Sequence, residues 1–205
     1  MAQSLNYLKE SPSQTAGPYV HIGCTPNFVG IEGVYAQDLG SGPMVNADTR
    51  GERITIRGFV YDGGGTALKD ALIEIWQADA DGFYNSPSET RGKADPNFLG
   101  WARCPGDMAT GEFLFETIKP GRVPFRDGRL MAPHVTFWIV ARGINLGLHT
   151  RMYFSDEEAA NAEDPVLARI EHKVRVPTLI GKRDGDTVTF DIHLQGDKET
   201  VFFDI

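Results

Sequence analysis

Cysteine is scarce in this chain: Cys24 and Cys104 are the only two in 205 residues. Nothing in their spacing asks for a disulfide framework or a thiolate metal cluster, so both read as small buried hydrophobes. Basic charge is short as well. Lys and Arg number 20 against 28 Asp and Glu, for a formal net charge of -8. That balance argues against nucleic acid, whose binding rests on neutralising phosphates. No apolar run reaches the roughly 20 residues of a membrane helix. The stretch Met1–Glu10 lacks the charged-then-apolar pattern of a secretory leader. The expectation is a reduced, cytoplasmic protein that binds neither nucleic acid nor membrane.

Apolar residues are plentiful, at 41%, with 12 Phe, 6 Tyr and 3 Trp. A folded core follows, and one core can serve a chain of this length if it is mostly β. The 23 Gly and 12 Pro imply many turns, which suits short strands better than long helices. Residues 1–53 show little periodicity and are punctuated by Gly and Pro, so they read as a long N-terminal arm docked on its own domain or on another chain. Residues 54–205 read as one β domain. Strands are expected at Ile54–Tyr61, Ala71–Gln77, Phe113–Ile118, Val135–Ala141, Thr150–Phe154, Thr187–Leu194 and Thr200–Ile205. Two short helices are signalled, by a capping box at Ser155–Glu158 and by Asp164-Pro165-Val166. The fold class is all-β: an antiparallel β-sandwich with a long N-terminal arm and one or two short helices.

His134 opens the strand at 135–141, and side chains two apart on a strand share a face. A metal site would want a second imidazole at position 136, which is Thr. A neutral hydroxyl is a poor ligand beside imidazole. The remaining histidines (His21, His149, His172, His193) have no ligand spacing. Asp79 and Asp81 resemble the start of a calcium loop, but the rest of that pattern is missing, and they read as a polar turn after a strand. Between Gly121 and Arg151 lie five arginines (Arg122, Arg126, Arg129, Arg142, Arg151) and one acid, Asp127. They read either as scattered solvated residues or as planar recognition of a carboxylate-like anion. The second reading requires that they share a face.

Several runs together resemble the intradiol ring-cleaving dioxygenases. They are Pro12-Ser13-Gln14-Thr15-Ala16-Gly17-Pro18-Tyr19-Val20-His21, Glu74-Ile75-Trp76-Gln77-Ala78-Asp79, Thr117-Ile118-Lys119-Pro120-Gly121 and Ala132-Pro133-His134. Further matches are Ala141-Arg142-Gly143-Ile144-Asn145, Leu148-His149-Thr150-Arg151-Met152-Tyr153-Phe154 and Glu199-Thr200-Val201-Phe202-Phe203-Asp204, so the resemblance spans nearly the whole chain.

The resemblance implies a ferric ion held by two tyrosinates and two histidines, a catechol that chelates it, and O2 that cleaves the ring between the two hydroxylated carbons. In heteromeric members a beta chain holds Fe(III) and an alpha chain of related fold has lost the metal set. This sequence is similar to the iron-free kind. Val123 stands where a tyrosine follows the Lys-Pro-Gly loop, and Thr136 replaces one histidine. The second tyrosine belongs near Thr90 and Arg91, where none occurs; Tyr84 reads as a turn aromatic. His134 is then a structural histidine at a relic metal position. The resemblance further implies a higher-order alpha–beta oligomer acting on protocatechuate and O2 to give 3-carboxy-cis,cis-muconate. In it, Thr15, Gly17, Pro18, Tyr19 and Arg142 of this chain line the substrate pocket of the beta chain. Gly17 admits close backbone approach to a flat ring, Pro18 stiffens it, Thr15 offers a hydroxyl and Arg142 a permanent positive charge.

Overall fold

The computed structural model describes residues 15–17, 19–145 and 147–204. Pro18, one of the expected pocket residues, lies outside the described residues, as does Ile205 at the end of the last expected strand. The described strands form one mixed sheet folded over on itself. Its order is β3-β2-β5-β6-β7-β8-β1-β4, with β9 also paired to β1. The strands are β1 (Arg53–Tyr61), β2 (Leu72–Trp76), β3 (Trp101–Pro105), β4 (Glu112–Ile118) and β5 (His134–Val140), then β6 (Leu148–Phe154), β7 (Ile180–Asp184), β8 (Thr187–Thr189) and β9 (Ile192–His193). Two short α-helices, α1 (Val20–Cys24) and α2 (Glu158–Glu163), and 3₁₀ turns at Leu167–Arg169 and Lys173–Leu179 complete the elements. No helix among the described residues is long and apolar enough to cross a membrane.

Alternation builds the core. On β5, Val135, Phe137 and Ile139 point inward, while Thr136, Trp138 and Val140 face the other side half-buried. β5 is flanked by β2 and β6, both antiparallel to it. β1 alternates in the same way, burying Ile54, Ile56, Gly58 and Val60. Phe137 is the meeting point of the two layers. Its ring lies 6.0 Å from Phe113, 6.4 Å from Phe115 and 5.2 Å from Phe190, at the tilted and edge-on angles aromatic pairs prefer.

Several details depart from the expected pattern. The sheet is mixed, because β1 pairs in parallel with β8 and β9, and β6 with β7. The stretch 187–194 is two short strands. The chain breaks where it crosses Gly58: a Cβ there would sit 2.0 Å from the Phe190 carbonyl oxygen, and the Asp191 carboxylate accepts the Phe59 N–H in place of a ladder partner. The tail from Thr200 forms no strand in the described residues. Val201 is met by side chains: Thr178 Oγ1 accepts its N–H, and Thr150 Oγ1 donates to its carbonyl. Only Phe203 makes a ladder-like bridge, to His149. Strands β3 and β7 lacked a readable apolar alternation, since one ends in Pro105 and the other is Ile-Gly-Lys-Arg-Asp.

The capping box at Ser155 is not formed. α2 starts at Glu158 with no side-chain cap, and Ser155 Oγ accepts the Arg183 N–H from β7. Asp164 does cap its turn, accepting the N–H groups of Val166 and Leu167 at 2.8 Å, but the turn is a single 3₁₀ turn and not an α-helix. Cys24 and Cys104 are free and half-buried, less enclosed than expected.

Because Phe137 has no room to be replaced by solvent, Phe137→Ala is expected to lower stability by about 3–5 kcal/mol. Equilibrium urea unfolding, read as a shift in midpoint at constant slope, checks this.

Candidate functional site

The residues singled out in the sequence fall in two places, at opposite ends of β5. His134 is its first residue. Arg142 follows its last by two positions. Ala141 lies seven residues beyond His134, which at ~3.3 Å per residue is roughly 23 Å. No single small molecule can touch both.

At the Arg142 end, the N-terminal arm is pinned to the turn after β5. The Thr15 hydroxyl donates to the Ala141 carbonyl (3.3 Å) and accepts the Gly143 N–H (3.0 Å), so it brackets Arg142. One acceptor lone pair remains on that oxygen. A second tie comes through Asp70. Its carbonyl accepts from Nε2 of buried His21 on α1 (3.2 Å), and its carboxylate pairs with the Arg142 guanidinium. The Gly17 carbonyl accepts the Val20 N–H (3.0 Å), and nothing lies within 4 Å of where a Gly17 Cβ would point. Arg142 is 65% exposed and Tyr19 is 79% exposed. Thr15 and Arg142 are therefore neighbours at an exposed surface, and half-buried Gly17 and exposed Tyr19 follow Thr15 along the arm.

At the His134 end the surroundings are closed. His134 is buried, donates from Nδ1 to the Ala132 carbonyl (2.8 Å), and packs against the ring of Tyr153 at 5.6 Å. Thr136 lies on the same face, as the strand period requires, and its register partner on β6 is Arg151. Burial and then the positive charge of Arg151 push the His134 pKa down to about 4. The buried Tyr153 hydroxyl meets the Asp164 carboxylate, and burial raises its pKa. Val123 is buried beside Ala78 and Met131. Tyr84 stacks flat on Trp76, with rings 5.9 Å apart and 5° between planes, and burial raises its pKa too. The loop at Thr90 is shaped by Arg91, which pairs with Glu89 and donates to the Gly82 carbonyl; that hydrogen-bonded guanidinium holds the Glu89 carboxyl down to about 2.

The acidic turn after β2 is structural. Asp79 is buried and accepts the N–H groups of Asp81 (3.0 Å), Phe83 (2.9 Å) and Asp95 (2.8 Å), so both of its oxygens are engaged in holding the turn. Among the described residues, no group of three His, Cys, Asp or Glu side chains could hold a metal ion. The five arginines do not share a face: Arg142 is at one end of β5, Arg122 and Arg129 serve their own loop, and Arg126 and Arg151 border a common cavity. Sequence reading missed Asp70 as the partner of Arg142 and Arg151 as the neighbour of His134. The pairing of His134, Thr136 and Arg151 needed the register of β6, which alternation alone does not supply.

The described residues form a mixed-sheet β protein with no metal-holding cluster of its own among them. Residues 24–196 match the Dioxygenase_C family, described as dioxygenase, and the chain belongs to that intradiol dioxygenase family. It is 44% identical over 204 residues to the protocatechuate 3,4-dioxygenase alpha chain of Pseudomonas putida, covering 98% of both chains. It is also 34% identical over 170 residues to the protocatechuate 3,4-dioxygenase beta chain of Burkholderia cepacia, covering 78% of this chain and 71% of that one. In structure it resembles 3-chlorocatechol 1,2-dioxygenase of Rhodococcus opacus 1CP, with a TM-score of 0.56 at 22% identity over 74% of this chain and 62% of that one.

His134 carries a testable consequence for stability. Its folded pKa is below the ordinary value of 6.5, so on acidification the unfolded chain takes up the proton first. The stabilisation is complete above about 6.5 and is lost as the pH falls towards 4. Between pH 7.5 and pH 5 the loss is expected to be about 2 kcal/mol. Urea midpoints across that range should fall less steeply in His134→Gln than in the parent. Equal slopes would assign the acid sensitivity to other groups.

Proposed function

We propose that this chain is the iron-free alpha subunit of a heteromeric protocatechuate 3,4-dioxygenase and completes the active site of a beta chain. The observation that carries this reading is the Thr15 bracket around Arg142, which holds an exposed arginine on a surface fixed from both sides, with Gly17 and Tyr19 next along the arm. Such a surface suits a wall for a pocket whose floor lies on another chain. The match to alpha chains along almost the whole length supports the same role.

In this reading residues 1–53 are the arm that reaches the partner, and 54–205 are the body. Exposed large apolar residues concentrate in the arm: Tyr19, Ile22, Ile31, Val34, Tyr35 and Leu39. An apolar grouping of that kind favours burial against a partner. The arms and bodies assemble into a higher-order alpha–beta oligomer in the cytoplasm. Arg142 supplies a charge-assisted contact to the anionic substrate, protocatechuate, or to negative charge developing on it. Thr15 fixes the turn that carries Arg142. Gly17, with open space at its Cα, lets backbone approach the flat ring, and Pro18 stiffens that approach.

Fe(III) is assigned to the beta chain. A ferric ion wants hard anionic oxygen donors, and the groups around His134 do not fit it. They are one neutral imidazole, a threonine hydroxyl, the aliphatic Val123, a phenol whose ionisation burial opposes, and a guanidinium that repels cations. The ion, when bound by the partner, supplies activation of the chelated catechol towards O2. This chain contributes binding, orientation and charge.

The isolated chain is expected to show no ring cleavage and to gain it on co-expression with a beta chain and iron, with one iron per alpha–beta pair. In that assembly Arg142→Ala should lower kcat/KM for protocatechuate about 10- to 100-fold, the worth of one hydrogen bond to a charged group, without changing the iron content. An unchanged rate removes Arg142 from the site. Stoichiometric iron on the isolated chain, with a tyrosinate-to-iron visible band, overturns the whole assignment.

A further inference from the structure

A cavity of about 430 Å³ opens beside Thr136, near the His134 end of β5 and far from the Arg142 surface. Arg126, Arg151, Arg169 and Arg175 border it, with Glu171 as the single acidic residue on the wall. Arg175 is spoken for, by Glu199. Arg126, Arg151 and Arg169 form no ion pair among the described residues; Arg151 reaches the Tyr153 hydroxyl, the Asp127 charge is felt at Arg169, and their other neighbours are aromatic rings and a thioether. Arg126 and Arg169 lie over the ring of Phe125 at 5.2 and 4.8 Å, Arg151 lies 5.9 Å from the ring of Phe203, and one Arg151 nitrogen meets Met131 Sδ.

Three guanidiniums around one concavity repel one another. A protein that gains nothing from the arrangement would place a carboxylate among them, as it does at Arg142, Arg175 and Arg183. Arg151 is also held half-buried at the inner end, where exposure to water relieves its charge least. The chemistry that balances this wall is an anion arriving from outside. Its shape follows from the rest of the lining. Phe125 and Phe203 offer flat apolar faces, Val166 and Val201 add aliphatic wall, and Thr136 adds one hydroxyl. The volume falls in the range of small-molecule sites, which combine apolar walls with a few fixed polar groups. Guanidinium pairs well with carboxylate in a planar, two-point contact, and stacking against Phe suits an aromatic ring.

We propose that this cavity is a second binding site, for a small aromatic carboxylate, with Arg151 at the inner end and Arg126 and Arg169 at the rim taking the carboxylate charge while Phe125 and Phe203 take the ring. The site is separate from the Arg142 surface. Binding to it can therefore fail without touching the alpha-subunit assignment, and the assignment can fail without emptying the cavity.

The test is a 19F NMR titration of 4-fluorobenzoate into the full chain, after near-ultraviolet circular dichroism has established that each sample is folded. Saturable binding is expected for the parent chain. Arg151→Met should weaken it at least about tenfold, the loss expected for one hydrogen bond to a charged group. Arg169→Met should do the same, and because Arg169 is exposed and its only close packing is against the Phe125 ring, this variant is the one least expected to disturb the fold. The neutral isostere 4-fluorobenzamide should bind at least about tenfold more weakly than the acid. The proposal is overturned if the folded parent shows no saturable binding, if both variants bind like the parent, or if the amide binds as tightly as the acid. Displacement of 4-fluorobenzoate by inorganic phosphate at equal concentration also overturns it, since that marks a plain anion site with no preference for a ring.

Discussion

One buried carboxylate ties together the parts of the chain that matter most. Asp164 is fully buried, and its two oxygens accept the Ala132 N–H (2.7 Å), the Val166 and Leu167 N–H groups (2.8 Å each) and the Tyr153 hydroxyl (3.4 Å). Those partners come from the segment leading into β5, from the 3₁₀ turn, and from β6. Each would otherwise be a buried donor without an acceptor, at a cost of about 1–3 kcal/mol apiece. The carboxylate therefore fixes where β5 starts, how His134 sits against Tyr153, and where Val166 and Arg169 stand on the rim of the arginine cavity. The rest of the His134 end is built on that arrangement.

The two ends of β5 differ in how their polar groups are arranged. At the Arg142 end the polar groups face outward, tied only to the arm and to Asp70, so they are free to meet another chain. At the His134 end the imidazole and the Asp164 carboxylate are buried and hydrogen-bonded within the chain, while Thr136 and the arginines border an open cavity. A strand is stiff along its length, so it holds both ends in fixed relation without letting one site see the other. The positive charge next to His134 works in the same direction as the burial, since both keep the imidazole neutral. A metal cation would meet the same repulsion.

Relatives of both alpha and beta type match this chain over most of its length. The inward face of strands such as β5 carries the core, and the opposite face is under weaker packing constraint. Val135, Phe137 and Ile139 are fixed by packing, and substitution there is costly. Thr136 sits on the other face, half-buried, and can change without disturbing the core. Period-two alternation thus separates residues that hold the sheet from residues that define a site.

The sequence by itself determined the strands with clear alternation: β1, β2, β4, β5 and β6 lie where Ile54, Ala71, Phe113, Val135 and Thr150 announced them. It also determined that His134 and Thr136 share a face, because a strand's geometry leaves no alternative. Tertiary structure alone decided the parallel pairing of β8 and β9 with β1, the break at Gly58, and the loss of a strand in the tail, since each depends on which segment arrives alongside. It decided too that Arg126 and Arg151 meet Arg169 at one cavity while Arg142 pairs with Asp70 elsewhere. Local pattern fixes the direction of a side chain relative to its own strand. Its neighbours come from register and crossover between distant segments, and these are set by the packing of the whole sheet.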